Sequence, residues 1–232
     1  MIHIHPTTEL APRVLLPGDP GRALALAQHL LDKPLMFNHN RGLWGYTGKA
    51  ADGAPLTIQS TGMGGPSAAI VLEELIDLGV TRAIRVGTCG ALQAGLGHGD
   101  LIVAKGALAA DGASQALGAE GEVLADPGIV AALLDAAGAG TPVGVVATTD
   151  LFYDPEPARA DGWARAGMLA VEMEAAAVLQ VASRRGIAAG VLLAVTDTFS
   201  PADGARSRID EDGLLRAGER LGDVAAAALP AA

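Results

Sequence analysis

The feature that most constrains the fold is a junction at residues 168–184, where a short apolar run gives way at once to a run of strong helix formers. This pattern predicts that a buried strand ends and a helix begins within two residues. Two carboxylates, Glu172 and Glu174, flank Met173 at the junction. Because ligands of open α/β sheets bind beyond the carboxyl ends of the strands, the junction is a candidate ligand site.

A carboxylate at such a position can accept hydrogen bonds from a polyol, and the Met173 thioether offers an apolar surface to a sugar ring. Acidic residues also occur at helix starts simply because they stabilise the helix macrodipole. The junction alone is therefore compatible with helix capping and with ligand binding.

The composition supports a folded protein with an acidic surface. Of the 232 residues, 50% are hydrophobic and 18% are charged, which supplies a sizeable core and argues against disorder. The chain has 16 basic and 26 acidic side chains, for a net charge of −10. This balance disfavours nucleic acid or anionic lipid as a partner, although a local arginine cluster can still hold a small anion.

The cysteine count and the amino terminus bear on the compartment. Cys89 is the only cysteine, so no intrachain disulfide can form and a reducing compartment is favoured. Residues 1–6 lack the apolar segment of a secretory signal, and no apolar run is long enough to cross a bilayer. The sequence therefore predicts a soluble cytoplasmic protein.

Predicted strands alternate with predicted helices, without a repeat or a linker. We predict a single α/β domain over residues 1–232, with three α/β/α layers around a central mixed sheet. The other predicted strands are 13–16, 37–51, 55–61, 84–86, 99–104, 142–147 and 188–195, and the other predicted helices are 23–31, 69–78, 127–137 and 209–229. Residues 87–90 are expected to form a turn and residues 206–208 part of a loop.

Two arginines occupy positions suited to binding an anion. Arg22 follows Gly18 in a turn at a predicted helix start, where exposed amides and a guanidinium can hold an anion, but a plain strand-to-helix turn has the same pattern. Arg85 interrupts an apolar strand, and burying an arginine is costly unless it meets an anion. A structural ion pair with a carboxylate is the other explanation for Arg85.

Two further strand ends carry residues of chemical interest. Phe152 lies next to Tyr153 and can either stack on a base or serve in packing. Asp197 follows the strand at 188–195, where a general acid or base would face the cleft, although it can also cap a helix. No metal site is predicted, because the histidines are scattered, among them His29, His39 and His98.

Six segments, in order and with matching spacing over nearly the whole chain, resemble motifs of the nucleoside phosphorylase family of the bacterial hexameric type. They are Pro-Gly-Asp-Pro-Gly-Arg at 17–22, Asn-Arg-Gly-Leu-Trp-Gly-Tyr-Thr-Gly at 40–48, Gly-Met-Gly at 62–64, Arg-Val-Gly-Thr-Cys-Gly at 85–90, Val-Glu-Met-Glu-Ala at 171–175 and Thr-Asp at 196–197. The resemblance implies reversible phosphorolysis of a purine nucleoside, with inorganic phosphate as co-substrate and no cofactor.

The resemblance also implies a role for each matching residue. Phosphate would be bound by Gly18, Arg22, Arg85 and Thr88 with Arg41, ribose by His3, Met173 and Glu174, and the base by Gly90, Phe152, Val171 and Glu172. Asp197 would be the general acid, assisted by Arg208 as first choice and Arg206 as second, because residues 198–212 match the family poorly. His5 is the alternative to His3. The protein would be a homo-oligomer, a hexamer built as a trimer of dimers, with Arg41 and His3 acting across the dimer interface.

Three rival functions remain open at this stage. A uridine phosphorylase shares the fold, but the family members specialised for uridine lack the acid that Asp197 matches. A hydrolytic nucleosidase of the same fold has no need of a cationic cage for phosphate, so the three arginines argue against it. A nucleoside-binding module with a decayed site is the non-enzyme alternative.

Overall fold

In the computed structural model, which describes residues 1–156, 158–199 and 205–231, strands and helices alternate along most of the chain. The strands are β1 (Arg13–Leu16), β2 (Asp32–Asn38), β3 (Gly45–Lys49), β4 (Pro55–Gln59), β5 (Arg82–Ala91), β6 (Leu101–Ala109), β7 (Glu122–Leu124), β8 (Val143–Thr148), β9 (Ala170–Glu172), β10 (Ala188–Phe199) and β11 (Arg206–Arg208). The helices are α1 (Pro20–Leu30), α2 (Gly65–Asp77), α3 (Gly112–Ala116), α4 (Pro127–Ala137), α5 (Ala158–Arg165), α6 (Ala175–Arg185) and α7 (Glu211–Ala228).

The strands of the described residues form one mixed sheet. β1 pairs in parallel with β4 and β5, and β3 and β2 extend the sheet beyond β4 as antiparallel strands. β10 pairs with both β5 and β6, while β8 and β9 connect β6 back to β5. The predicted mixed sheet is confirmed, and five of its strands also close into a ring that the sequence did not predict.

Helices cover both faces of the sheet. α1, α4 and α7 pack together around a core that includes Leu26 and Leu221, whereas α2, α3 and α6 pack around a core that includes Val71 and Leu179. β10 is buried over most of its length, as expected of a strand with a continuous apolar run between two helical layers. This arrangement confirms the predicted α/β/α layers.

The predicted turn at residues 87–90 is wrong, because these residues continue β5. Glycine makes this possible by leaving space for side chains that fold over the strand. A Cβ on Gly87 would lie 2.7 Å from Arg85 Nη2, and a Cβ on Gly90 would lie 3.3 Å from the Phe199 ring.

Other boundaries also differ from the predictions, and three of the differences involve residues with predicted roles. β10 continues four residues past its predicted end, so Asp197 lies within a strand. Residues 206–208 pair with this extension as β11 rather than forming a loop. The predicted strand 37–51 is interrupted by a 3₁₀ turn at Asn40–Gly42, where Arg41 adopts the left-handed conformation with φ 56°. Extension and pairing of this kind depend on tertiary partners rather than on local sequence.

Across the described ranges, no helix combines the length and the apolar character needed to cross a bilayer. Within the same ranges, no three His, Cys, Asp or Glu side chains are grouped so that they could hold a metal ion.

Candidate active site

The turn between β1 and α1 forms one wall of the site. Asp19 is the N-cap of α1, and its carboxylate accepts a hydrogen bond from the Arg22 backbone N–H at 2.6 Å. Pro20 occupies the start of the helix, where no backbone N–H is needed. A Cβ on Gly18 would lie 3.3 Å from the Gly62 carbonyl oxygen, so glycine allows the two loops to approach closely. The turn thus presents helix amides and the Arg22 side chain together.

Arg85 lies at the centre of the site, on β5, with 3% of its side chain exposed. Its Nε donates to Glu172 Oε2 at 2.9 Å, and its Nη2 forms an ion pair with Glu174 Oε2. Nη1 is buried and has no hydrogen-bond partner among the described residues. Leaving a buried cationic donor unpaired is costly, so Nη1 marks a place where an anion can bind.

The charges around Arg85 show that the arginines converge. Burial alone would lower the pKa of Arg85, but the carboxylates of Glu174 and Glu172 outweigh it and raise the pKa. Desolvation lowers the pKa of the half-buried Arg22, and the charges of Arg85 and Arg208 lower it further. Arg85 and Arg208 are therefore each close enough to Arg22 to repel it, and the charge of Glu174 acts on both Arg22 and Arg85. A bound anion would relieve this repulsion.

Glu172 is the last residue of β9, and all its partners are internal. Its two oxygens accept from Arg85 Nε, from Thr148 Oγ1 at 2.5 Å, and from the backbone N–H groups of Glu174 and Ala175. The carboxylate thus caps the start of α6 and holds Arg85 in place. This use of both oxygens gives Glu172 a positioning role, while its contact with a base remains a prediction.

Glu174 is the N-cap residue of α6 and is 5% exposed. Its Oε1 accepts a hydrogen bond from the Gly64 N–H at 2.6 Å, and its Oε2 contacts Arg85. Burial raises the pKa of Glu174, only partly opposed by Arg85. Met173, beside it, is half-buried. The predicted strand-to-helix junction is confirmed, and it places a buried carboxylate directly against the anion-binding arginine.

Asp197 lies on β10 and is 5% exposed. Its Oδ1 accepts from Arg206 Nε at 2.8 Å, and its Oδ2 accepts from Thr196 Oγ1 at 2.9 Å. Arg208, the first choice of assisting arginine, is the strand partner of Asp197 but is exposed, and no side-chain bond joins the two within the described ranges, so its role remains a prediction. Diagonal cross-strand neighbours are within reach of long side chains, so Arg206, two residues away on β11, makes the ion pair instead.

A small apolar surface lies beside Asp197. Gly90 pairs with Val171 on β9 and with Asp197 on β10. A Cβ on Gly90 would lie 3.3 Å from the Phe199 ring and 3.5 Å from Val171 Cγ1. The absence of a side chain at Gly90 therefore lets the Phe199 ring and the Val171 side chain approach the backbone of β5 closely.

Phe152 joins the same region through Arg206. The Arg206 guanidinium carbon lies 4.2 Å from the centroid of the Phe152 ring, which in turn makes an edge contact with Tyr153 at 5.0 Å. Phe152 is 48% exposed, so part of its ring surface is open to a ligand. The structure thus brings Gly90, Val171 and Phe152 to the same end of the sheet as Asp197.

Thr88 lies in β5, three residues after Arg85, and is half-buried. Side chains alternate across a strand, so Thr88 leaves the face opposite to that of Arg85. Its strand partner on β10 is Ala194. Within the part of the chain that the structure describes, Thr88 makes no side-chain hydrogen bond, and its role in binding phosphate remains a prediction.

His3 is not brought to the site of its own chain, and Arg41 lies on the surface that carries His3. His3 donates from its backbone to Glu74, and its Nδ1 lies 2.8 Å from Glu74 Oε1. Glu74 is nine residues into α2, about 14 Å from the end that touches Glu174. Asn40 Nδ2 donates to the His3 carbonyl at 3.0 Å, so the exposed Arg41 lies on the same surface as His3. His5 is exposed, and its backbone N–H donates to Asn38 Oδ1 at 2.9 Å.

The profile of the Phosphorylase superfamily matches residues 12–230. The chain belongs to this family. It is 39% identical over 203 residues to "Purine nucleoside phosphorylase DeoD-type" of Geobacillus kaustophilus. The aligned residues cover 84% of this chain and 85% of that protein. It is 40% identical over 185 residues to "Guanosine phosphorylase" of Halorubrum lacusprofundi, and here the aligned residues cover 78% of this chain and 76% of that protein.

Several residues that shape this phosphorylase-superfamily site were missed by sequence reasoning. Thr148 bridges Glu172 and the Ala176 N–H, and Phe199 covers Gly90. Both stand where an apolar strand ends, which is the signal that could have drawn attention to them. Gly87 makes room for Arg85, and no local pattern distinguishes it from other strand glycines.

A cavity of about 310 Å³ opens between α1 and α7 in this member of the phosphorylase superfamily. Its walls are mainly apolar, with Leu26, Leu214 and Leu215 among the lining residues, and Arg22 stands at its edge. It lacks the convergent donors that an anion needs, so the anion-binding part of the site is the group around Arg85.

Proposed function

We propose that this chain catalyses the reversible phosphorolysis of purine ribonucleosides and deoxyribonucleosides, giving free base and (deoxy)ribose 1-phosphate. The observation that carries the proposal is Arg85 Nη1, which is buried beside the Glu174 carboxylate and has no hydrogen-bond partner in the part of the chain that the structure describes. An inorganic anion and a sugar hydroxyl would there bind side by side. The names of the relatives support the same chemistry.

Phosphate is proposed to bind at the Gly18 turn, against Arg22, Arg85 and Thr88. Phosphate carries several acceptor oxygens and a negative charge, so it satisfies Nη1 and relieves the repulsion between the arginines. Inorganic phosphate is thus a co-substrate, and no cofactor is proposed. The attacking oxygen would face the sugar carbon C1′, next to Glu174.

The sugar is proposed to lie over Met173, with its 2′ and 3′ hydroxyls donating to Glu174. The carboxylate keeps free lone pairs beside its contacts with Gly64 and Arg85. In the transition state the C1′–N9 bond breaks, its electron pair leaves with the base, and positive charge builds on the ribose ring. The Glu174 carboxylate and phosphate both stabilise that charge.

The base is proposed to lie on Gly90 and Val171, flanked by Phe152, with Asp197 directed at N7. The departing base gains negative charge, and a proton delivered to N7 neutralises it. Arg206 contacts the Asp197 carboxylate, so delivery of a proton from Asp197 to the base requires Arg206 to turn from the carboxylate toward the leaving base. The pair therefore acts as one unit that supplies hydrogen-bond donors at the base.

We further propose a hexamer built as a trimer of dimers, in which Arg41 and His3 of one subunit complete the site of its neighbour. The location of His3 away from its own Glu174, on a surface that it shares with Arg41, supports this. Arg41 also keeps a left-handed conformation that costs a non-glycine residue free energy, which is typical of functional positions. The cytoplasm is the proposed compartment, given one buried free cysteine.

A substrate panel run with and without inorganic phosphate tests the proposal. Inosine, guanosine and adenosine should release base only when phosphate is present, with ribose 1-phosphate as co-product, and uridine should react much more slowly. Phosphate-independent release of free ribose would identify a hydrolytic nucleosidase instead. Faster turnover of uridine would identify a uridine phosphorylase, and binding without turnover would leave only a nucleoside-binding module.

A further inference from the structure

His98, on the loop between β5 and β6, contacts the strand that carries Arg206. Its Nε2 lies 3.1 Å from the carbonyl oxygen of Ser207 and 3.3 Å from Thr198 Oγ1. A carbonyl can only accept, so Nε2 carries the hydrogen and donates mainly to Ser207. Thr198 and Ser207 are direct partners across β10 and β11. One imidazole thus spans the pair of strands.

The loop holds His98 in a fixed position. The Gly99 N–H donates to the Val195 carbonyl at 2.8 Å, and the Val195 N–H donates to the Asp100 carbonyl at 2.9 Å. The Gly97 N–H also donates to Asp100 Oδ2 at 2.7 Å, which closes the turn on the other side of His98. The backbone around the imidazole is therefore anchored to β10, the strand that carries Asp197.

β11 needs such an anchor. It has three residues, lies at the end of the sheet, and is exposed throughout. Short edge strands are weakly held, and each further hydrogen bond to the backbone matters more there than in the centre of a sheet. Ser207 lies between the two arginines of β11, so fixing its carbonyl fixes the direction in which Arg206 and Arg208 leave the strand.

We infer that His98 is a positioning residue: its Nε2–H holds the Ser207 carbonyl so that Arg206 stays within reach of Asp197. The expected change in kcat rests on the proposed phosphorolysis, whereas the expected effect of His98 on the order of β11 does not. His98 contacts neither base nor sugar in this arrangement and acts only through Arg206. A purely structural histidine would instead affect folding without affecting Arg206.

The test compares His98→Ala and His98→Gln in the wild-type and Arg206→Ala backgrounds. His98→Ala should lower kcat about 3- to 10-fold, the effect of one lost hydrogen bond, with little change in KM for phosphate. Glutamine can still donate from its side-chain amide, so His98→Gln should restore most of kcat. In the Arg206→Ala background, His98→Ala should change kcat by less than about 2-fold, because the two residues act in one chain of contacts.

Hydrogen exchange supplies a readout that does not need activity. The amides of residues 206–208 should exchange faster in His98→Ala than in wild type, and at the wild-type rate in His98→Gln. His29→Ala is the matched control, because His29 pairs with Asp223 on the surface and should change neither readout. Equal losses of kcat in both backgrounds, or unchanged exchange at 206–208, would overturn the inference. A wild-type enzyme without phosphorolysis would refute the proposed function while leaving the exchange test intact.

Discussion

Arg85 Nε donates to Glu172 Oε2 at 2.9 Å, with 3% and 0% of the two side chains exposed. The pair links the middle of β5 to the end of β9, two strands that close the ring of the sheet. A buried ion pair of this kind contributes little net stability, yet removing one partner is costly because the other charge stays buried without a counter-charge. In the proposed site, the pair directs the remaining guanidinium nitrogens at the bound phosphate.

Arg85→Gln should therefore lower the free energy of unfolding by about 3–5 kcal/mol at pH 7, since Glu172 and Glu174 lose their counter-charge. Urea denaturation measures this loss. Arg159→Gln is the matched control: Arg159 pairs with Asp154 at the surface, and breaking this pair should cost less than about 1 kcal/mol.

The pH dependence of this loss follows from Glu174. Burial holds its pKa above the ordinary value, so as the pH falls toward that pKa the folded protein binds a proton before the unfolded chain does. Protonation removes the unpaired charge, and the deficit of Arg85→Gln relative to wild type should be smaller at pH 5 than at pH 7. A deficit that stayed constant or grew on acidification would contradict this account of the site.

Gly87→Ala should weaken phosphate binding although it replaces no charged residue. The new Cβ would lie 2.7 Å from Arg85 Nη2 and 3.1 Å from Leu193 Cδ2, so the guanidinium must move. Losing a hydrogen bond to a charged group corresponds to a rise in KM for phosphate of about 10- to 100-fold, with a smaller change for the nucleoside. Gly218→Ala, where a Cβ meets nothing within 4 Å, should leave both constants unchanged. An unaltered KM for phosphate in a folded Gly87→Ala enzyme would remove this explanation of the glycine.

The central part of this site was predictable because its signals are local. A strand-to-helix junction with two carboxylates, and an arginine inside an apolar strand, pointed to Glu174 and Arg85 from the sequence. The choice between Arg206 and Arg208 was not predictable, because it depends on the register of a three-residue strand against an irregular extension of β10. The contacts of Glu172 with Arg85 and Thr148 were not predictable either, because these two donors lie on other strands, far from Glu172 in the chain.

Replacing each of the two arginines of β11 separates their roles. Arg206→Ala should lower kcat for inosine about 10²-fold, because Asp197 and the departing base lose their shared donor. Arg208→Ala should leave kcat within a few-fold and act mainly on phosphate, since its charge reaches Arg22. A 7-methylated purine nucleoside already carries positive charge on the base, so it needs no proton at N7, and Arg206→Ala should cleave it almost as fast as the wild-type enzyme does. A larger loss of kcat for inosine in Arg208→Ala than in Arg206→Ala would identify Arg208 as the assisting arginine.

Mixed oligomers test whether Arg41 acts across an interface. Arg41→Ala and Asp197→Asn should each be nearly inactive alone, because each removes one part of every site. If Arg41 serves the neighbouring subunit of a symmetric dimer, a mixed dimer has one site with both residues intact and one with neither. Equal co-expression makes half of the dimers mixed, so activity should recover to about a quarter of the wild-type level.

Arg206→Ala mixed with Asp197→Asn is the matched control and should recover nothing, because both residues belong to the site of one chain. Equal failure of both mixtures, in samples whose hetero-oligomers are verified by mass spectrometry, would place Arg41 outside the neighbouring site.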